Sequence, residues 1–168
     1  FKNSDGMVVF SGSITGLFGK LFYKGKFDEI KNLYKNLSSE FGDRFYLEIQ
    51  RHGDSNEAEF EKNNLKQSAD LKIPIIATNE VFYINKDMYD AHDALICIGK
   101  KNYINDKKRF KYTNQHYLKS SKQMFDLFSD LPEAIENNIN FPKRCSFKPK
   151  KSLPVLPEIH LTSNHNVD

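Results

Sequence analysis

The sequence lacks several features that mark particular classes of protein. It has no tryptophan, and its two cysteines, Cys97 and Cys145, form neither a CxxC pair nor a dense framework, which favours a reducing compartment over secretion. No apolar run approaches the roughly 18 residues that a membrane-spanning helix needs. The first residues lack the basic start and apolar stretch of a signal peptide. These absences predict a cytoplasmic protein with no membrane partner.

What is present is typical of one globular domain. The chain has 168 residues, 39% of them hydrophobic and 28% charged, so it is long enough to bury a sizeable core. Its net charge of +3 is too small to indicate a partner by itself.

The hydrophobic pattern predicts strands that alternate with helices. Apolar runs at residues 7–10, 45–50 and 73–77 are typical of buried strands, and each is followed by an amphipathic stretch. The longer helices are predicted at residues 27–41, 56–71 and 87–98, the second of them capped by Asp54 or Ser55. Two shorter ones follow, the first capped by Ser120 or Ser121 and the second beginning at Pro132.

Three strand-and-helix units predict an α/β layer with parallel strands, because crossover connections are right-handed. Three strands cannot close a barrel. The chain is therefore expected to form either a small open sheet or the later part of a larger (β/α) barrel, whose mouth would lie at the carboxyl ends of the strands.

Several motifs, taken in order, resemble the PHP (polymerase and histidinol phosphatase) domain of the bacterial replicative DNA polymerase III alpha subunit. They are GMVVFSGS at 6–13, FGDRFYLEIQRHG at 41–53, IIATNEVFY at 75–83, DAHDALICI at 90–98 and FSDLPEAIEN at 128–137, followed by Arg144-Cys145. The resemblance implies the later part of a distorted (β/α)7 barrel with parallel strands, followed by helices and an extended proline-containing tail. Residues 1–147 would be a partial PHP domain, and residues 148–168 a linker toward the polymerase palm. The earlier strands, which carry the family's HxH motif, have no counterpart here.

The resemblance also identifies degenerate site positions. Metal-binding members of the family carry a Cys ligand where this chain has Ser13, and an Asp-x-His pair where it has Glu80 and Phe82. A carboxylate can still bind a metal, but a neutral hydroxyl is a poor replacement for a thiolate and a phenyl ring cannot ligate at all. We therefore expect no metal in this chain and no hydrolysis that depends on one.

Other residues are candidates for the mouth of the barrel by their position after strands, namely Glu48, Arg51, His52 and Asn79. Two of them also have a structural interpretation: Glu48 as the partner of Arg51 or Arg44, and His52 as a hydrogen-bonding group that fixes its own turn. His92 is expected to be structural, and His116 lies in a loop with no ligand partner at a useful spacing.

Residues 100–111 form a basic segment in which aromatic residues are interleaved. Its basic residues are candidates for contacts with the DNA backbone: Lys100, Lys101, Lys107, Lys108, Arg109 and Lys111. The alternative is a solvated loop without a ligand, and Asp106 in its middle is consistent with that.

The function implied by the resemblance is that of a fragment of a DNA-directed DNA polymerase, a nucleotidyltransferase of DNA replication. The palm, where Mg²⁺ would bind, lies outside this sequence, so the fragment itself is expected to need no cofactor and to be catalytically silent. It would support the remainder of the alpha subunit, dock the proofreading exonuclease subunit and meet DNA through the parent protein. The alternatives are an active metal-dependent phosphoesterase and a free-standing interaction module.

Overall fold

A computed structural model describes residues 4–155 as an α/β arrangement around one small sheet. The strands are β1 (Val9–Phe10), β2 (Phe45–Ile49) and β3 (Ile75–Ala77), and β2 lies between the other two. Both pairings are parallel, with Val9 opposite Phe45 and Leu47 opposite Ile75. The predicted parallel sheet is confirmed. Within the described residues it is an open sheet of three strands and not a closed barrel.

Six α-helices accompany these strands in the part of the chain that the structure describes: α1 (Leu17–Tyr23), α2 (Phe27–Phe41), α3 (Glu57–Leu71), α4 (Tyr89–Lys100), α5 (Ser121–Leu127) and α6 (Pro132–Asn140). Short 3-10 helices occupy Gly42–Arg44, Lys86–Met88 and Phe141–Arg144. None of the helices within residues 4–155 is both long and apolar enough to cross a membrane.

The core lies around β2, the central strand. Leu47 and Ile49 of β2 and Ile75 and Ile76 of β3 are all buried, as the apolar runs predict. Val9 is only half-buried, because β1 forms an edge of the sheet. On the helical side, the rings of Phe18 and Tyr34 stack at 4.6 Å and join α1 and α2 to the core.

α6 covers the outer edge of β3. The side-chain amide of Asn137 donates to the carbonyl oxygen of Ile75 at 2.8 Å, and that of Asn138 donates to the carbonyl of Ala77. A further strand would need these same carbonyls for pairing. The sheet therefore ends at β3 against a helix.

The ends of the helices follow their sequence signals in most cases. α2 has its predicted bounds and ends at Gly42, whose φ of +54° lies in the left-handed region that glycine adopts without strain. Ser120 forms a capping box with Gln123 at the start of α5. α3 is the exception: no side chain caps it, so the predicted Asp54 or Ser55 cap is wrong.

Residues 145–155 form neither helix nor strand and are largely exposed, in keeping with the beginning of the predicted proline-containing tail. The remainder of that tail, including His160 to Asp168, lies outside the described residues.

Candidate functional site at the carboxyl ends of the strands

Polar side chains gather where β2 and β3 end, as the parallel sheet requires. His52 follows β2 and Asn79 and Glu80 follow β3, and the hydrogen bond from the Thr78 N–H to the Ile49 carbonyl holds the two exits side by side. His52 Nε2 lies 3.1 Å from the backbone nitrogen of Glu80 and 3.2 Å from Asn79 Oδ1. The structure thus brings together three of the residues predicted from the sequence.

His52 fixes the turn in which it lies. The imidazole is 1% exposed, and its Nδ1 lies 3.4 Å from a carboxylate oxygen of Glu57. That carboxylate favours the tautomer with the proton on Nδ1, which leaves Nε2 to accept from the Glu80 N–H. The second Glu57 oxygen accepts the backbone N–H groups of His52 and Gly53, both at 2.7 Å. The imidazole, the Glu57 carboxylate and these two N–H groups are therefore all paired within the fold.

His116 lies directly against His52. The two rings stack with centroids 4.2 Å apart and an angle of 4° between their planes. His116 is fully buried, with Nε2 3.7 Å from Asp54 Oδ2 and Nδ1 3.6 Å from Glu80 Oε2, so one imidazole faces two carboxylates. Both contacts are longer than a conventional hydrogen bond, and we regard them as electrostatic.

The pKa of the Asp54 carboxyl is held below its usual value. The side-chain interaction with His116 is the main cause, and burial opposes it. Asp54 therefore stays ionised beside the histidine pair at neutral pH.

This cluster contains enough donor atoms to suggest a metal site, since one atom each of His52, Asp54 and His116 lies within 4.8 Å of the others. The arrangement nevertheless does not fit an ion. A metal lies in the plane of each imidazole that binds it, and the two stacked planes are parallel and share no point. His52 Nε2 already accepts a backbone N–H. The two imidazoles would have to part before both could bind one metal.

The degenerate positions do not form a metal site either. Ser13 Oγ pairs with Thr15 Oγ1 at 2.9 Å and lines a small cavity beside Glu48, whereas Glu80 faces His116. The Phe82 ring stacks on His92 at 5.4 Å and tilts against Tyr112 at 4.4 Å. At the position where the resemblance implies an imidazole ligand in metal-binding members, this chain therefore has an aromatic cluster.

Glu48 lies within β2, before the loop that contains His52. Its carboxylate accepts hydrogen bonds from the Thr78 hydroxyl and, at 2.8 Å, from the Gln50 amide, and its backbone N–H donates to Ser11 Oγ at 3.0 Å. It is thus bound to neighbouring strands and not, as the sequence suggested, to an arginine.

Arg51 points away from the histidines and joins three parts of the chain. Its guanidinium donates to Glu61 in α3, to both carboxylate oxygens of Asp130 at 2.7 and 2.8 Å, and to the Leu127 carbonyl at 2.8 Å. It also lies 4.8 Å from the centre of the Phe128 ring. These hydrogen bonds raise the pKa of Arg51 further above its already high value. Arg51 borders a cleft of about 680 Å³ but has no free hydrogen-bonding edge turned toward the mouth.

Asp54, Glu57 and His116 were missed as members of this site. Asp54 and Glu57 follow His52 by two and five residues in one turn, which is a signal that the sequence offered. His116 gave none, because it is 64 residues from His52 in the chain. The parallel bridge between Tyr83 and Tyr117, together with the hydrogen bond from the Asn79 amide to the Tyr117 carbonyl at 2.9 Å, brings it beside the segment that follows β3.

The predicted backbone-binding residues lie elsewhere, in the segment after α4. Lys100, Lys101, Lys107, Lys108 and Lys111 are all exposed. Arg109 differs from them, because its side chain is 2% exposed and forms a bidentate ion pair with Asp93 of α4. Arg109 therefore holds the segment in place and does not offer a charge to a ligand.

No family model matches the chain. Its curated relatives are nonetheless consistent. The chain is 36% identical over 165 residues to the DNA polymerase III subunit alpha of Caulobacter vibrioides, 38% identical over 156 residues to that of Rickettsia bellii, and 35% identical over 167 residues to that of Borreliella burgdorferi. These matches cover 93–98% of this chain but only 13–15% of the relatives. The chain is thus similar, over nearly its whole length, to one short stretch of DNA polymerase III alpha subunits.

Proposed function

We propose that this chain is part of a DNA polymerase III alpha subunit and contributes to DNA replication as the later portion of its PHP domain. The observation that carries the proposal is the 36% identity over 165 residues to a stretch of a much longer protein that bears this name. The PHP assignment comes from the motifs, of which those at 6–13, 41–53 and 75–83 lie on the parallel strands and their exits.

The second element of the proposal is that this part of the polymerase is catalytically silent. The residues at the mouth bind each other: His52 is held by Glu57 and Glu80, and Phe82 packs among aromatic rings. Activation of water by a metal needs ligands with free lone pairs and an open coordination position. The arrangement supports a chain without a cofactor, while Mg²⁺ would act in the palm of the parent polymerase.

A rigid platform accounts for the polar groups better than a catalytic site does. Arg51 joins the exit of β2 to α3 and to the connection between α5 and α6. Thr113 donates to the His52 carbonyl at 2.6 Å and adds the segment before α5 to the same network. Such links fix the carboxyl ends of the strands relative to the helices, which is what a support for neighbouring domains requires.

The proposed partners follow from the same assignment. They are the remainder of the alpha subunit, the proofreading exonuclease subunit, and DNA through the parent polymerase, all in the cytoplasm. Residues 148–168 would connect the domain to the palm, and the exposed, extended course of residues 148–155 is compatible with a connection of that kind.

The test of silence uses the 168-residue chain itself. It is assayed for primer extension, phosphatase and exonuclease turnover with Mg²⁺ and Mn²⁺ supplied, beside a Glu80→Gln variant. We expect no turnover above that of the variant in any assay. Turnover that Glu80→Gln abolishes would contradict the platform proposal.

The test of the platform uses the whole alpha subunit that contains this segment. Arg51→Met should lower its melting temperature and leave its primer-extension rate at 25 °C unchanged. A fall in extension rate without a fall in melting temperature would show that Arg51 acts in the reaction and not as a structural link.

A metal-dependent phosphoesterase is the second candidate, and a single observation favours it: the closeness of donor atoms from His52, Asp54 and His116. Elemental analysis after incubation with Zn²⁺ or Mn²⁺ distinguishes it from the platform. One ion per chain, lost in His116→Phe, would support this candidate.

A further inference from the structure

The segment of residues 100–111, here called the basic loop, has a definite shape. The buried Arg109 side chain donates through Nε to the Ile104 carbonyl at 3.1 Å while its other nitrogens bind Asp93. Asp106 accepts the Tyr103 N–H at 2.8 Å and returns a backbone hydrogen bond to the Tyr103 carbonyl. These contacts fold the loop back onto α4 and give it an ordered conformation.

The loop carries a larger net positive charge than the chain as a whole. It has six basic residues and one acidic residue, whereas the whole chain has a net charge of +3, so the rest of the chain is slightly negative. Arg109 is neutralised by Asp93. Lys100, Lys101, Lys107 and Lys108 are exposed, and within residues 4–155 none of these four forms an ion pair.

Aromatic rings accompany these lysines at the surface. The Tyr103 side chain is 81% exposed, and Phe110, at 54% exposed, is supported edge-on by Tyr112 at 4.7 Å. Nearby in the same loop, a surface depression of about 370 Å³ is lined by Asn102, Asp106, Lys107, Lys108 and Arg109. The fold gains little from a tyrosine held in water beside unpaired lysines.

This combination fits single-stranded nucleic acid. Ammonium groups neutralise backbone phosphates and release counterions, and an exposed ring offers a stacking surface to a base of any sequence. An anionic membrane fits less well, because surface-binding segments are typically amphipathic helices with a broad apolar face, and the charges here lie on an irregular loop.

We propose that the basic loop binds single-stranded DNA, with phosphates at Lys100, Lys101, Lys107 and Lys108 and a base stacked on Tyr103. The inference rests on the proposed function only in the choice of DNA over RNA, since the two share this chemistry.

The experiment is fluorescence anisotropy of the 168-residue chain with labelled dT20 and rU20 between 50 and 200 mM NaCl. The loop variant replaces Lys100, Lys101, Lys107 and Lys108 by Gln. A control of the same charge replaces Lys20, Lys31, Lys35 and Lys66, which are exposed on α1–α3.

We expect the loop variant to bind dT20 at least tenfold more weakly, and the slope of log K against log salt to fall by about 2–3, at roughly 0.7 per phosphate contact. The control should stay within twofold of wild type.

Tyr103 separates stacking from charge. Tyr103→Ala should weaken binding by about 5–100-fold with the salt slope unchanged, and Tyr103→Phe should restore it.

Equal losses in the loop and control variants, or no binding of dT20 at 50 mM NaCl, would overturn the proposal. Binding to vesicles with 30% phosphatidylserine but not to dT20 would identify a membrane surface instead. Preference for rU20 would keep the loop as a nucleic-acid site and contradict only the choice of DNA. Because no polymerase activity is measured, these outcomes do not depend on the tests of the platform.

Discussion

The histidine cluster at the ends of β2 and β3 and the basic loop after α4 are both rich in polar groups, but they use them in opposite ways. Around His52 and His116, carboxylates and backbone N–H groups face the imidazoles, and the rings are buried. Among the residues that the structure describes, Arg109 is the one member of the basic loop with an ionic partner, and the neighbouring lysines are exposed.

The difference shows how a polar group's surroundings indicate its role. A buried charge or hydrogen-bonding group lowers the stability of the fold unless it is paired, so the hydrogen-bonded turn around His52 indicates a structural role. Exposed charges cost the fold little and also contribute little to it. An exposed cluster that the fold has ordered but not paired is therefore available to a ligand. The predictions below separate these two roles by their effect on stability, from the largest expected change to the smallest.

The largest effect is expected at Arg51. Replacement by Met keeps much of the side-chain volume but leaves the Glu61 carboxylate, which is 16% exposed, without its partner. Breaking a buried ion pair costs about 3–5 kcal/mol, and we expect about 2–3 kcal/mol here because Asp130 is largely exposed. Urea unfolding followed by circular dichroism measures the change.

The control for Arg51 is Lys122→Met. Lys122 pairs with Asp126 on the surface of α5, with side chains 82% and 64% exposed. It should change the free energy of unfolding by less than about 0.5 kcal/mol. Similar losses in the two variants would mean that Arg51 is an ordinary surface residue and not a link between elements.

The His52→Phe variant removes the polar interactions of the His52 imidazole while preserving its stacking on His116. A phenyl ring can still stack on His116, but the Glu80 N–H and the Glu57 carboxylate lose a partner. We expect a loss of about 1–3 kcal/mol from unsatisfied polar groups. His52→Ala removes the stacking as well and should cost more. If Phe and Ala were equally harmful, stacking would contribute nothing measurable.

The Asp93–Arg109 pair predicts a dependence on pH. Hydrogen bonds from Arg109 hold the pKa of the Asp93 carboxyl below its usual value, against the effect of burial. A lowered pKa in the folded state means that this stabilisation is complete above the unfolded value, near pH 4, and is lost as the pH falls through the folded value. The stability difference between wild type and Asp93→Asn should therefore be largest at pH 7 and shrink toward pH 2–3. A difference that grew with acid would contradict the assignment.

The sequence predicted the framework better than the site. The bounds of α2, the first residue of α6 and the Ser120 cap depend on local patterns, such as apolar spacing, a glycine stop and capping chemistry, and all three are confirmed. The exits of parallel strands must meet, so His52, Asn79 and Glu80 could be placed together before the structure was known.

The remaining parts of the site depend on distant contacts that no local pattern carries. His116 reaches His52 only because residues 113–117 return beside β3, and Arg51 turns away from the mouth because Asp130 lies across from it. Arg109 belonged by sequence to a run of basic residues, and only the fold separates it from the lysines by placing Asp93 beneath it. The role of a charge is therefore set by its tertiary partner, which the sequence does not show.

The Phe82→His variant tests whether an added imidazole creates a metal site at the aromatic cluster. Phe82 is 38% exposed, so it contributes less than a fully buried side chain, for which roughly 1.5–3 kcal/mol is typical. We expect the substitution to lower the free energy of unfolding by about 1 kcal/mol. The new imidazole would lie among His92, Tyr112 and His116, with Ser13 still paired to Thr15. We expect no stoichiometric Zn or Mn by elemental analysis in wild type or variant. A metal bound by the variant alone would show that Phe82 was the missing ligand position.

The smallest change in stability is expected in the basic loop. Replacing Lys100, Lys101, Lys107 and Lys108 by Gln removes four exposed ammonium groups that have no ionic partner within the described residues, while Arg109 and Asp93 still hold the loop. The free energy of unfolding should stay within about 0.5 kcal/mol of wild type, or rise slightly as repulsion between the lysines is relieved. Arg109→Gln in the same loop should destabilise the chain because it leaves a buried Asp93 carboxylate unpaired. Equilibrium unfolding of the two variants side by side measures both effects. If the lysine variant were the less stable of the two, the lysines would contribute to the stability of the fold. The contrast between paired and unpaired charges would then be wrong.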